Sequence, residues 1–220
     1  MNWRCGDCLV TAKSNGGEIN GYVLAGGASS RFGRDKGLVE LAGKTALQRA
    51  CDLVGQVAGS VQVVALAERY PALRAPIVAD RWPGEGPLGG IITALRATES
   101  DKNGAAWNLI VSCDMPFLTR EWLKYLCTRA LASDAEMVVP RSEHGLEPLC
   151  ACWRTSAADS LQRTFEDGVR KVTEAMKRLR MEILDETHWK RFDSAGRLFW
   201  NMNTPQDYQE ALQMWRAEQK

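Results

Sequence analysis

A three-layer α/β architecture, a mostly parallel twisted sheet with helices on both faces, is what this sequence predicts, and three observations carry it. Short apolar runs alternate with helical stretches from Tyr22 to Leu131, the spacing of βαβ units. The runs are rich in valine, leucine and isoleucine without polar alternation, as in strands buried on both faces. Three of them end at glycine or aspartate, namely at Leu24 to Gly27, at Asp80 and at Asp114. Ligands of open α/β sheets sit beyond the carboxyl ends of the strands, so one cleft is expected to collect all three.

Taken in order, Tyr22 to Leu24 reads as a first strand, Thr45 to Val54 as an amphipathic helix and Val61 to Leu66 as a buried strand. Ile77 to Ala79 is a short strand, and the turn-rich PGEGP leads into a helix from Leu88 to about Thr98. Pro87 falls near its first turn, where a missing N–H costs nothing. Leu109 to Ser112 is a strand, and Thr119 is the N-cap of a helix reaching Leu131. The second half is less regular: strands at Glu136 to Val139, Leu149 to Trp153 and Met181 to Leu184, helices at Ala157 to Phe165 and Val169 to Leu179. A last helix runs from Pro205 to Trp215 behind Thr204. Cys150 and Cys152 stand two apart, the strand period, and should share one packed face.

At 220 residues, with 45% hydrophobic and 25% charged content, the chain is expected to form one domain over residues 21–220 behind an N-terminal extension, residues 1–20. Twenty-eight basic against 27 acidic residues leave a net charge of +1, which gives no electrostatic case for nucleic acid or a membrane surface. The N-terminus lacks the basic-then-apolar order of a signal peptide, and the seven scattered cysteines suit reduced thiols, so a cytoplasmic location is expected. Cys5 and Cys8 form a single C-x-x-C with no second pair or histidine partner, which suits a polar extension better than a metal site.

The segment YVLAGGASSRFGRDK, Tyr22 to Lys36, points to a polyphosphate. Glycines let backbone N–H groups approach an anion, and Arg31, Arg34 and Lys36 follow with both ways of holding phosphate oxygens, the planar fork and the point charge. It is neither a dinucleotide fingerprint, since its glycines fall at 26, 27 and 33, nor a Walker loop. Gly37, Gly43, Lys44 and Thr45 miss the Walker spacing by one residue and read as a turn opening a helix.

Asp114 follows an apolar strand, and Pro116 biases Met115 toward extended geometry, so the carboxylate should project from the sheet edge as a magnesium ligand. Capping the next helix is the alternative. Asp80 suits ribose hydroxyls or a base N–H, and equally suits tying down its turn. Asn201 and Asn203 can coordinate a hard cation or cap the last helix. A nucleoside triphosphate carries about four negative charges, and two unit charges about 4 Å apart repel by about 4 kcal/mol at an effective dielectric of 20. Arg31, Lys36 and a metal on Asp114 would neutralise it and stabilise the departing pyrophosphate. An acceptor phosphate monoester, with a second pKa of about 6, needs no general base. His144 and His188 are remote in sequence from the strand ends.

Four motifs in order, LAGGASSRFGRDKG, Asp80 with PGEGPLGGI, CDMPFL and NMNTPQD, make the chain resemble the molybdenum cofactor guanylyltransferases, which join GMP from GTP to molybdopterin and release pyrophosphate. The resemblance runs from Gly21 to about Leu212. LAGG with GPLGGI is similar to the guanylyl branch, whereas cytidylyl relatives typically carry LAAG. It implies a Rossmann-like nucleotidyltransferase fold, Mg2+, and GTP and molybdopterin as substrates. It also implies molybdopterin-synthesis proteins and recipient molybdoenzymes as partners.

Carried onto this sequence, the resemblance has Leu24, Ala25, Gly26 and Gly27 forming the nucleotide loop, the first three through backbone contacts to guanine. Lys36 would meet the phosphates, Asp80 the nucleoside, Asp114 the magnesium, Asn203 the metal or pterin, and Arg170 with Lys171 the pterin phosphate. One departure matters. The family often carries a guanine-contacting asparagine after the second strand, but this chain reads VVALAER, and neither Ala65 nor Leu66 supplies an amide. Phe32 stands for the usual methionine. The alternatives are a cytidylyl or sugar-phosphate nucleotidyltransferase of the same fold, and a non-catalytic nucleotide- or pterin-binding adaptor.

Overall fold

The computed structural model describes residues 18–26, 35–102, 104–193 and 195–218. The first apolar run forms β1 (Ile19–Leu24). Beyond the loop come a single 3-10 turn (Lys36–Leu38) and a hairpin of β2 (Glu40–Leu41) and β3 (Lys44–Thr45). The near-Walker glycine therefore turns a hairpin, with Ala42 and Gly43 at φ 47° and 77°, two successive positive values that match strand twist. Thr45 then caps α1 (Ala46–Val54), its Oγ1 accepting the Gln48 N–H at 3.1 Å.

β4 (Ser60–Ala65) and β5 (Ile77–Ala79) precede α2 (Pro87–Ser100), which begins at the proline as expected. β6 (Trp107–Ser112) leads to α3 (Arg120–Leu131), where Thr119 Oγ1 accepts the Trp122 N–H at 3.2 Å. The second half holds β7 (Met137–Ser142), β8 (Gly145–Leu146), β9 (Cys150–Arg154), α4 (Ala158–Glu166), α5 (Val172–Ala175), β10 (Met181–Leu184), α6 (Glu186–Trp189) and α7 (Pro205–Glu218).

The helix expected over Val169 to Leu179 shrinks to α5 and a 3-10 turn (Met176–Arg178). Gly168, at φ 92°, turns the chain out of α4, and Arg170 donates its guanidinium N–H groups to the Phe165 and Val169 carbonyls. Those carbonyls are thereby satisfied without continuing the helix.

The main sheet runs β10-β7-β9-β6-β1-β4-β5, with β8 attached to β7. Every neighbouring pair along it is parallel except those of β9, which lies antiparallel to both β6 and β7. One face packs on α1 and α3 through Leu47, Val54, Trp122 and Leu126; the other packs on α2, α4 and α5 through Leu88, Ile92, Leu161 and Val172. Cys150 and Cys152 do share the first face, while Ala151 and Trp153 face the second. Burial pushes the Cys51 and Cys150 thiols up to about 12, so both stay protonated, as structural cysteines do. Across the second face, Tyr22, Thr98 and Asn108 form a buried hydrogen-bonded chain that fixes α2 to the sheet, with links of 2.9 and 2.6 Å.

No helix among the described residues is long and apolar enough to cross a membrane. α1 is drawn so close to the sheet that a Cβ on Gly21 would stand 2.3 Å from Val54 Cγ1 and 2.8 Å from the Ser60 carbonyl oxygen. Gly21→Ala must therefore push α1 outward, at an expected cost of about 1–3 kcal/mol. Urea unfolding reads this as a lowered midpoint; an unchanged midpoint would mean that α1 does not sit this near.

Candidate active site

β1 and β6 are in register at their carboxyl ends, Leu24 opposite Ser112, so the loop after β1 and the Cys113 to Pro116 turn leave the sheet side by side. The Cys113 N–H donates to the Leu24 carbonyl at 3.4 Å, and the Met202 N–H donates to the Asp114 carbonyl at 2.9 Å. The stretch before α7 is thereby laced onto the same edge. Its helix starts with a reciprocal cap: Thr204 Oγ1 accepts the Asp207 N–H, and Asp207 Oδ2 accepts the N–H groups of Asn203 and Thr204. Burial works against ionisation of Asp207, but those amide bonds and the nearby Lys36 charge hold its pKa below the usual value.

Because Thr204 and Asp207 do the capping, the Asn203 side chain is free to point elsewhere. Its Oδ1 accepts from Lys36 Nζ at 2.8 Å, and the same ammonium lies 3.3 Å from Asp114 Oδ2. Residues 36, 114 and 203 thus meet at one point. The Lys36 and Asp114 side chains are 20% and 18% exposed, so the pair is neither fully desolvated nor a solvated surface bridge. Asp114 Oδ1 is buried without any hydrogen-bond partner. Asn201 does not join them, since its Nδ2 donates to the Phe199 carbonyl.

Lys36 is set by a strut absent from the sequence reading. Asp35 caps the Lys36–Leu38 turn by accepting the Gly37 N–H at 2.9 Å, and the hydroxyl of buried Tyr70 donates to Asp35 Oδ1 and Oδ2 at 2.9 and 2.8 Å. Burial, then the Asp35 contact, pushes the Tyr70 phenol up, so it remains a donor. An aspartate two residues before a glycine was the available sequence signal; the tyrosine 35 positions away gave none. Burial and the adjacent Asp114 and Asp35 charges likewise raise Cys113, which stays a thiol and no nucleophile.

A cleft of about 470 Å³ opens from Asp114 along the strand ends, lined by Leu24, Ala25, Gly26, Leu66, Arg69 and Asp80. The Ala25 N–H is already given to the Val64 carbonyl at 3.1 Å, and the Leu24 carbonyl to Cys113, so the expected backbone contacts fall to the Ala25 carbonyl and to Gly26. Gly26 takes φ 126°, a conformation closed to most side chains. Gly27 and Arg31 lie outside the described residues, as do Phe32 and Arg34.

Asp80 ties down its turn, Oδ1 accepting the Trp82 N–H at 3.0 Å and the Thr93 hydroxyl at 3.4 Å. Both bonds fall on Oδ1, and among the described residues none is made by Oδ2. Arg170 is not beside Lys36. It pairs with Glu85 at 2.6 Å and lies over the Phe165 ring at 3.9 Å, bracing the turn after β5, with Lys171 next to it at the start of α5.

A second cleft, of about 550 Å³, lies on the other side of Asp114, where β7 and β10 end. Trp189, Phe199 and Trp200 give it aromatic walls; Glu143, His144 and Asp193 add polar ones. His144, remote from the strand ends in sequence, thus comes to line a cleft. Between the two clefts Glu147 accepts the Ser142 hydroxyl at 2.6 Å; burial raises its pKa, the Ser142 bond opposes this, and the Asp114 charge adds to the rise.

Among the described residues no group of three or more His, Cys, Asp or Glu gathers as a metal cage. Asp114 instead offers one orphaned buried oxygen beside a carboxamide. This fits an ion such as Mg2+, which takes one or two protein ligands and fills its shell with water and phosphate oxygens.

Residues 21–181 match the model of the MobA-like NTP transferase domain. The chain is 34% identical over 194 residues to a probable molybdenum cofactor guanylyltransferase of Chloroflexus aggregans, covering 86% of this chain and 91% of that one. It is also 34% identical over 186 residues to one of Mycobacterium bovis, covering 82% and 91%. Among solved structures, molybdopterin-guanine dinucleotide biosynthesis protein A from Archaeoglobus fulgidus superposes with a TM-score of 0.77 at 27% identity, over 90% of this chain and 99% of that one. A CMP:2-keto-3-deoxy-manno-octonic acid synthetase complexed with CTP gives 0.68 at 10% identity over 91% and 99%, a likeness of fold alone. Sheet order, strand-end cleft and the extent of the matched segment agree, and the chain belongs to the MobA-like NTP transferase family.

Proposed function

We propose that this chain transfers GMP from GTP to the phosphate of molybdopterin, releasing pyrophosphate, in a reaction that depends on Mg2+. The observation that carries the reading is the meeting of Lys36, Asn203 and the half-satisfied Asp114 where Asp114 lines the strand-end cleft. The relatives named as molybdenum cofactor guanylyltransferases support the choice of substrates.

The first cleft suits the nucleotide, base toward Asp80 and phosphates toward Asp114; the second, walled by tryptophan and phenylalanine, suits a flat heterocycle such as a pterin. An oxygen of the acceptor phosphate attacks the α-phosphorus of GTP, the bond from that phosphorus to the bridging oxygen breaks, and pyrophosphate leaves with the electron pair. Lys36 neutralises charge on the phosphates, held in place by the Asp35 and Tyr70 strut. Asp114, with Asn203 beside it, would hold Mg2+, which when bound supplies Lewis-acid stabilisation of the phosphate oxygens. The acceptor is ionised near neutral pH, and no side chain has to take its proton.

Incubation with GTP, Mg2+ and molybdopterin should release pyrophosphate, and absence of release beside an active control would reject the reading. Asp114→Ala and Lys36→Ala should each lower kcat by about a hundredfold or more. A chain acting only as an adaptor would have no such activity to lose. In competition, GTP should displace CTP and UTP; preference for CTP would favour a cytidylyltransferase instead. The rate should climb with pH through about 6 as the acceptor phosphate takes its second charge, and a flat profile would contradict direct attack by the ionised phosphate.

A further inference from the structure

We infer that Arg69 reads the Hoogsteen edge of guanine, accounting for base recognition in a chain without an asparagine at the end of its second long strand; this rests on the proposed use of GTP. The strand ends order the cleft as a ruler. Asp114 follows β6, Gly26 follows β1, Arg69 ends the 3-10 turn Ala67–Arg69 after β4, and Asp80 follows β5. Three strand spacings of about 4.8 Å separate the metal-ligating end from Asp80. With phosphates at Asp114, the base falls where Arg69 and Asp80 flank the cleft.

Arg69 is the one cationic side chain among the described residues lining this cleft. It is exposed, and among the described residues no carboxylate pairs with it and no acceptor takes its guanidinium. Its backbone is nevertheless fixed. The Arg69 N–H donates to the Leu66 carbonyl at 3.1 Å, and the next residue, Tyr70, is anchored through Asp35 to the Lys36 turn. An arginine without a partner among the described residues, on a held backbone, is equipped for a ligand.

The chemistry selects the ligand edge. Guanine presents two acceptors, O6 and N7, that match the arginine fork in a bidentate pair, and adenine puts a donor in place of O6. On the opposite edge guanine has N1–H and an amino group, donors for the Asp80 oxygen Oδ2 that the turn leaves unused. On the Hoogsteen edge cytosine shows only an amino donor and uracil a single acceptor, so neither offers such a pair. Ala65 and Leu66, at the end of β4, supply only an apolar wall.

The test compares GTP with 7-deaza-GTP, which lacks the N7 acceptor, in pyrophosphate release by the full chain and by Arg69→Leu and Arg69→Lys. The intact chain should favour GTP over 7-deaza-GTP by about tenfold in kcat/KM, the worth of one hydrogen bond to a charged group. Arg69→Leu should bring that ratio close to one, whereas Arg69→Lys, whose ammonium can still donate to N7, should keep at most part of it. A ratio undiminished in Arg69→Leu overturns the inference. The same holds if Arg69→Leu weakens GTP and 7-deaza-GTP equally while their ratio persists, the mark of a phosphate contact, or if the intact chain treats the two alike. Intact protein that turns over CTP in preference to GTP would instead defeat the guanylyl reading itself, and this inference with it. Urea midpoints of the variants should match the parent's, because the exposed Arg69 side chain holds no fold contact.

Discussion

The contact of Lys36 with Asp114 is the constraint on which the rest of the molecule turns. A lysine from the loop after β1 and an aspartate from the turn after β6 lie 78 positions apart in sequence, yet their charged atoms stand 3.3 Å apart. That is possible only because β1 and β6 are parallel neighbours ending at the same level. Parallel pairing in turn requires the intervening crossover, and the apolar faces of α1 and α2 supply the layers that bury both sides of the sheet. A register shift of one residue would turn Val23 and Leu24 to opposite layers and carry the loop away from Asp114 together.

The sheet order gives the site its polarity. On one side of Asp114 the parallel strands β1, β4 and β5 deliver backbone, Arg69 and Asp80; on the other, β7 and β10 deliver an aromatic cleft. β9, antiparallel to both its neighbours, separates the halves, and Leu149 of the loop before it lines the first cleft. In the proposed reaction donor and acceptor therefore enter from opposite flanks of the strand ends, with Asp114 lining the first cleft and Asn203 three residues beyond Trp200 of the second. This geometry brings two polyanions together without overlap, and it explains why the segment Phe199 to Asn203 can wall the acceptor cleft at one end and bind Lys36 at the other.

Much of this was legible from residues, and the remainder was not for definite reasons. Strands and helices up to Leu131 follow from apolar runs, Thr45 and Thr119 caps and Pro87, because these signals are local. The helix expected after Val169 failed because Gly168 and Arg170 satisfy the end of α4 in ways that apolar spacing does not display. The β2 and β3 hairpin was hidden in strands two residues long. In the site, Lys36 and Asp114 were candidates from residue type and position, and Asp80 and Asn203 equally suited a turn and a cap, whereas the Tyr70 strut and the second cleft depend on contacts between distant segments. Gly27 and Arg31 belong to the stretch outside the described residues, and their roles rest on the sequence alone.

Stability and chemistry pull in opposite directions at Asp114. A buried carboxylate oxygen without a partner costs about 1–3 kcal/mol, and among the described residues Asp114 carries one while other interior polar side chains, such as Thr98 and Asn108, are bonded. Lys36 offsets only part of the cost, since it bonds the other oxygen and divides its ammonium between Asp114 and Asn203. The turn around Asp114 is held by backbone bonds through Cys113 and Met202, which leave its side-chain oxygen unanswered. A cation held at that oxygen would remove the deficit only in the loaded protein, so the same arrangement that weakens the free chain would favour the complex.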